Sequence, residues 1–377
     1  MIGTIRIGRF FGFEISVHWS WIFIFFLVTG TFAEGILKDA FPEWTGGQRW
    51  SVAALIAIFF FFSILLHEVT HSVVARRYGL PVSSITLFVF GGVSNPTKEP
   101  ANPRQEFQIA IVGPLTSIAI GGALIAGYFG LRGVEKGAAQ VLLNLGEINF
   151  AIGIFNLVPG FPLDGGRVLR SIIWARKGEM LAATKLASRI GQVVANLIMG
   201  AGVLIFLTID LVGGLWLFLI GNFLRGSSSA SYEQLFIETV LKGVPARVVA
   251  REDYVPLSPE MTISQLVEEH VLAGHGRAFP VMAGEELLGL ITLTDTRAVP
   301  RDDWPTTTVY RAMTPASRLK TVSVNDELSQ VLMIMATNDI NQVPMMDGRL
   351  LKGMIHRGDV VRYIQTRQEI GAGATTH

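Results

Sequence analysis

The sequence predicts a polytopic α-helical membrane protein, with about six transmembrane helices and a membrane-associated β-hairpin, followed by a soluble α+β module. Three observations carry this. Residues are 50% hydrophobic and only 16% charged, with a mean hydropathy of +0.45, which lies outside the range of ordinary soluble enzymes. The long apolar runs end near Leu224, and the chain beyond them is charged and punctuated by proline. That second part also matches itself at a shift of 64 residues, placing Pro280 on Pro344, Gly289 on Gly353 and Asp295 on Asp359, the mark of a duplicated unit.

Taken in order, Arg6 and Arg9 precede the apolar run Val17 to Ala33, which is longer than a signal-peptide core and lacks a small-residue cleavage site. It is therefore expected to be a retained first span. Further runs at Ser51 to Leu66 (continuing toward Ala75), Phe107 to Leu131, Ala138 to Val158, Ile190 to Ile209 and Leu211 to Leu224 approach the roughly 20 residues that a spanning helix needs. The last is separated from its predecessor by little more than Asp210, so five spans and a re-entrant piece is the alternative. Between the second and third runs, Val82 to Val93 is rich in β-branched and aromatic residues and too short to cross, which suggests a hairpin at the membrane, or else an interfacial loop. With the N-terminus inside, 13 Lys and Arg residues of the membrane part fall on the cytoplasmic side against Lys38, Arg49, Arg132 and Lys136 outside. Both termini are then cytoplasmic.

The stretch Arg225 to Ala230 has the composition of a flexible linker or helix exit. It bounds a membrane domain at 1–226, a linker at 227–244, and repeats at 245–301 and 308–365. Each repeat reads as a helix (Ile263 to Ala273; Glu327 to Asn338), a strand around Phe279 to Val281 or Val343 to Met345, and a second strand at Leu287 to Leu293 or Leu350 to His356. Met333, Met335, Met345 and Met346 are expected to fill the repeat cores. The tail, 366–377, is expected to be disordered.

The charge balance, 31 basic against 30 acidic residues, provides no field that would draw nucleic acid. The absence of cysteine excludes disulfides and thiol nucleophiles, and leaves any metal to His, Asp and Glu. Within that limit the sharpest signal is His67-Glu68-Val69-Thr70-His71. Histidines four apart share one helical face and can hold one Zn²⁺, with Glu68 beside them as a base. Three ionisable residues at the end of an apolar span are costly unless they have a function. A catalytic zinc takes a third protein ligand, and no further His follows within the next turns, so the third is a carboxylate: Glu147, Asp164, or less plausibly Asp210 or Glu14. Asp164 stands out because prolines and glycines on both sides break the helix around it.

Together, His67-Glu68-x-x-His71 and Asn156-x-x-Pro159-x-x-Pro162-Leu163-Asp164-Gly165 resemble the site-2 protease family of intramembrane zinc metalloproteases, peptidase family M50. Phe90-Gly91-Gly92 and Gly113-Pro114 are similar to that family as well, and the resemblance covers about Ile5 to Leu224. It implies one Zn²⁺ held by His67, His71 and Asp164, with Glu68 as general base. Asn156 would lie in the active site and help to hold the substrate or the developing oxyanion, and the Val82 to Val93 hairpin would receive the substrate as an added strand. The implied substrate is a membrane-spanning protein, such as an anti-sigma factor or another tethered regulator, cut after a first protease has acted. Family members more often carry Leu-Gly or Leu-Ser where this chain has Val69-Thr70, positions that bind no metal.

The duplicated module, about Pro245 to Ile364, resembles a tandem pair of CBS domains through Gly289 to Asp295 and Gly353 to Asp359. Such pairs often bind adenine nucleotides and can dimerise. The resemblance implies ribose contacts at Asp295 and Asp359 and a phosphate contact at Thr292, while His356 departs from the Thr or Ser expected three residues before the second Asp. The whole is then a multi-pass cell-membrane protease modulated by a cytoplasmic CBS pair. A CBS-regulated transporter or channel is the alternative, and it leaves the zinc motif without a purpose.

Overall fold

In the first half of the chain short strand pairs alternate with long helices. A computed structural model describes residues 3–89, 91–96, 99–274 and 276–373. Phe90, Lys98, His275 and residues 374–377 of the expected tail lie outside the described residues. Two compact units result, Met1–Gln234 and Leu235–His377.

In the first unit, β1 (Thr4–Phe10) and β2 (Phe13–His18) form an antiparallel hairpin turning at Phe11 and Gly12, both with positive φ. The helices α1 (Ser20–Thr31) and α2 (Leu37–Ala40) are joined by a π-helical turn, and α3 (Gly46–Arg77) follows. A second antiparallel pair, β3 (Val82–Phe88) and β4 (Gly91–Pro96), adds to the first with β3 parallel to β2. The resulting sheet has the order β1-β2-β3-β4, with β4 at an edge. The hairpin over 82–93 is thus formed. The expected first span, however, began too early: Val17 and His18 belong to β2, and the helical stretch covers Ser20–Ala40. The alternation of Phe13, Ile15 and Val17 facing inward is a strand signal, and it was hidden where it runs into the apolar helix. Phe13, Ile15 and Ile85 pack on Val69 of α3, so the sheet lies on the helix that carries the histidine motif.

Then come α4 (Pro103–Leu131), α5 (Lys136–Asn156), α6 (Asp164–Lys177), α7 (Met180–Thr208) and α8 (Leu211–Leu241). The start of α4 is fixed by Asn102, whose Oδ1 accepts from the Gln105 amide at 3.0 Å, and by Pro103 in the first turn. Among the described residues, five helical stretches are long and apolar enough to cross a membrane: Ser20–Ala40, Gly46–Arg77, Pro103–Leu131, Gly137–Asn156 and Met180–Thr208. The sixth expected run forms the first part of α8. Many large apolar side chains on these helices are exposed, Leu197 at 69% and Leu204 at 63% among them, as lipid-facing surfaces require.

Residues 225–230, expected as a flexible linker or helix exit, lie inside α8, and so does most of 227–244. Ser228 is fully buried and its hydroxyl donates to the Ser188 carbonyl at 2.7 Å, bringing α8 against α7. Small residues here serve close helix packing, which has the same composition as a linker.

The second unit contains α9 (Ile263–Gln265) continued by a π-helical turn, β5 (Ala278–Ala283), β6 (Glu286–Thr292), α10 (Leu293–Ala298), α11 (Val309–Ala312), β7 (Thr314–Pro315), β8 (Val322–Ser323), α12 (Leu328–Thr337), β9 (Gln342–Asp347), β10 (Leu350–His356) and α13 (Arg357–Gly373). One sheet runs β5-β6-β10-β9-β8, with β7 on β6. The repeat is visible in the cores: Phe279, Val281 and Ile291 of one cluster correspond to Val343, Met345 and Ile355 of the other. Met335 and Met345 are core residues as expected, but Met333 is 66% exposed. The tail expected to be disordered from 366 is helical through Gly373.

Candidate metal centre

His67 and His71 stand one turn apart on α3 and are both 4% exposed. Asp164 is the first residue of α6, 97 positions beyond His67. Its Oδ2 lies 3.1 Å from each histidine Nε2, and the two Nε2 atoms are 3.1 Å apart. Of the four carboxylates that the sequence left open, only Asp164 joins the pair. Glu147 is exposed on α5, Glu14 pairs with Arg6 at 3.2 Å, and Asp210 caps the amides of Val212 and Gly213.

The donor set fits zinc. His71 Nδ1 faces the Ile109 carbonyl at 2.5 Å and must donate to it, which leaves the Nε2 lone pair directed at the cluster. His67 Nδ1 has Ser117 Oγ at 2.9 Å, a partner that permits the same tautomer. With both Nδ1 atoms carrying the ring proton, two lone pairs and a carboxylate converge, an arrangement that calls for a cation. Tetrahedral zinc with bonds of roughly 2.0–2.1 Å separates its ligands by about 3.3 Å, close to the spacing present. Ser117 and Ile109 both belong to α4, so that helix orients both imidazoles. It also has to come very near them: a Cβ on Gly113 would sit 2.1 Å from His71 Nε2 and 2.7 Å from His67 Nε2, so only glycine leaves the ligand face open.

Glu68 opens into a cavity of about 890 Å³. The walls are the histidines, Asp164, Asn156, Arg167, the β4 residues Gly91 and Gly92, and apolar side chains of α1, α3, α5 and α8. The backbone of β4 touches Glu68, since a Cβ on Gly92 would be 2.4 Å from its Cγ. Asn156 ends α5 in the same cavity, and its Nδ2 donates to the Ile152 carbonyl at 3.1 Å.

Two features hold Asp164 in place: Gly165 and Gly166, expected with the nearby prolines to break the helix but found in the first turn of α6, and the unanticipated Arg170. Gly165 and Gly166 press on the preceding loop so closely that a Cβ would come within 2.4 Å of Leu157 and Gly160 backbone atoms. Six residues on from Asp164, Arg170 is 4% exposed, and its Nε donates to Glu106 of α4 at 2.5 Å while its Nη2 donates to Glu99 at 3.0 Å. Glu106 is fully buried. In sequence Glu106 lies in the polar stretch Asn102 to Gln108 and Arg170 three residues after another arginine, so nothing marked them as a pair across 64 positions.

In the second unit the expected nucleotide residues separate. Thr292 and Asp295 form a capping box at α10, with Asp295 Oδ2 accepting from the Thr292 amide at 2.8 Å and hydroxyl at 2.7 Å. They line a cavity of about 670 Å³ that includes Arg277, Arg297, Arg318 and Lys320. Asp359 borders a different cavity of about 450 Å³ and is held by a forked bond from Arg251 at 2.8 and 2.5 Å. Burial would raise the Asp359 carboxyl, but the hydrogen bonds and charge of Arg251 hold it below the usual carboxylate range. Burial also lowers His356, against the pull of Asp359.

The model of peptidase family M50 matches residues 55–138 and 132–199, and the CBS domain model matches 246–299 and 309–366. A cyanobacterial relative from Synechocystis sp., named "Putative zinc metalloprotease sll0528", is 32% identical over 97% of this chain and 97% of its own. Rip3 of Mycobacterium tuberculosis, which carries the same description, is 32% identical over 97% of this chain and 93% of its own. Among solved structures, the site-2 protease from Methanocaldococcus jannaschii is 29% identical with a TM-score of 0.43, covering 61% of this chain and 95% of that one. With full-length relatives at this identity and both family models matched in order along the sequence, the chain belongs to peptidase family M50 and bears a tandem CBS pair.

Proposed function

We propose that this zinc metalloprotease cuts membrane-spanning proteins within the bilayer, with His67, His71 and Asp164 holding one zinc and Glu68 as general base. The observation that carries this reading is the convergence of His67 Nε2, His71 Nε2 and Asp164 Oδ2 at 3.1 Å, beside a carboxylate that opens into a cavity bounded largely by membrane helices. Zinc, when bound there, supplies Lewis acidity and makes water a nucleophile near neutral pH. Glu68 takes the proton of that water and returns it to the leaving amine, a transfer that needs the freedom its carboxylate has: none of the described residues donates a hydrogen bond to it.

A helical substrate shields its peptide bonds with its own hydrogen bonds, so it must unwind locally before it can be cut. The freed amide and carbonyl groups need partners, and β4 offers them: it is an edge strand and it touches Glu68. Substrate added to β4 runs past Glu68, and Asn156, which lines the same cavity, helps to hold it. Helix-breaking residues at the cut are therefore favoured. The β3–β4 hairpin lies at the membrane, the catalytic part spans about 1–226, and the N-terminus and CBS module face the cytoplasm, in keeping with the distribution of Lys and Arg. The physiological substrate is a tethered regulator of the anti-sigma type.

Purified wild type is expected to contain one zinc per chain and to cleave a single-span substrate in liposomes, with both lost on chelation and restored by added Zn²⁺. Zinc-independent cleavage would overturn the reading. The repeats at 245–301 and 308–365 modulate the protease and bring two chains together. Their nucleotide binds in the Asp295 cavity, where four cationic side chains surround space for a phosphorylated ligand. Equilibrium dialysis with ATP and AMP should show binding that Asp295→Ala weakens and Asp359→Ala leaves in place; equal loss in both variants would remove that assignment.

A further inference from the structure

Helix α6 carries two arginines one turn apart, and they are treated in opposite ways. Arg170 is buried and donates to two carboxylates. Arg167, half-buried and one turn beyond Asp164 on the same helical face, lines the catalytic cavity and forms no hydrogen bond or ion pair with any described residue. A guanidinium has five donors and is always charged, and leaving it half-buried with no hydrogen-bond partner is unfavourable unless something else provides the acceptor. Asn156, the other donor expected in this cavity, has one of its two amide hydrogens on the Ile152 carbonyl and carries no charge.

The geometry points to Arg167 as the group that binds the carbonyl oxygen of the scissile peptide bond and holds it more strongly as it becomes an oxyanion. The electron flow creates such an acceptor. Water adds its oxygen to the carbonyl carbon and yields a proton to Glu68, and the carbonyl π electrons move onto the oxygen facing Arg167. Collapse then breaks the C–N bond, and the Glu68 proton goes to the departing nitrogen. Arg167 stays protonated throughout, and its fixed charge stabilises only the charge that develops.

The test compares full-length wild type, Arg167→Gln and Arg167→Lys in detergent, with three readouts: zinc content, kcat and KM on a single-span substrate, and affinity for two non-cleaved ligands. These are a transmembrane peptide with a phosphinate in place of the scissile bond, which mimics the tetrahedral anion, and the parent peptide bound to the Glu68→Gln form. Arg167→Gln is expected to lower kcat by about 10²–10³, with KM changed by less than about threefold. Zinc content should be unchanged, and phosphinate affinity should fall with kcat/KM while the parent peptide binds as before. Arg167→Lys should recover part of the loss. Loss of zinc, equal weakening of both peptides, or an unchanged kcat would each overturn the assignment.

Discussion

Glu68→Gln is expected to reduce cleavage by about 10²–10⁴ while leaving one zinc per chain, because it removes a proton acceptor and no metal ligand. Asp164→Ala is expected to do the reverse at the first step: it takes away one of three converging donors and leaves two imidazoles 3.1 Å apart with nothing to balance the charge of the ion. Zinc should then be lost on dialysis. Ser117→Ala removes only the partner of His67 Nδ1, and a loss of about 10–100-fold in zinc affinity is expected, with the fold intact. Metal analysis alongside cleavage separates the three. A Glu68→Gln chain that cuts at the wild-type rate would remove the base from the mechanism, and an Asp164→Ala chain that retains zinc through dialysis would move the third ligand elsewhere.

The parts of the site legible in the sequence were those encoded at short range. His67, Glu68 and His71 lie within two turns of one helix, so spacing alone places them together. The helix break at Asp164 could be seen from its prolines and glycines, but its place beside histidines 97 positions earlier could not; bare residue reading left Glu147, Asp210 and Glu14 open until the resemblance chose among them. Gly113 shows the same limit from the other side. The resemblance marks it in the sequence as part of Gly113-Pro114, but only the approach of α4 to both Nε2 atoms gives the reason for it. The fold follows this pattern. Long apolar helices were visible because hydrophobicity accumulates over 20 or more residues, whereas β2, with six residues feeding directly into α1, was absorbed into the span that follows. The serines at 227–229 were misread because the composition suited to close helix contact in a bilayer is also that of a linker.

The Arg170–Glu106 pair ties α6, which begins at Asp164, to α4, the helix that orients both imidazoles. Arg170→Ala leaves Glu106 fully buried without its ion-pair partner, and breaking a buried pair in this way costs about 3–5 kcal/mol. A lower melting temperature and weaker zinc binding are expected together, although Arg170 touches neither ligand. Replacing both charges, in Arg170→Leu with Glu106→Leu, removes the unpaired carboxylate and should recover most of the stability, since apolar packing can stand in for a buried ion pair. Zinc affinity then tests what the pair is for. If the double variant melts like wild type and binds zinc as tightly, the pair only joins two helices. If it is stable yet still binds zinc weakly, the direction that Arg170 imposes on α6 is what brings Asp164 Oδ2 within 3.1 Å of both nitrogens. An Arg170→Ala chain with unchanged melting and unchanged zinc would show that neither applies.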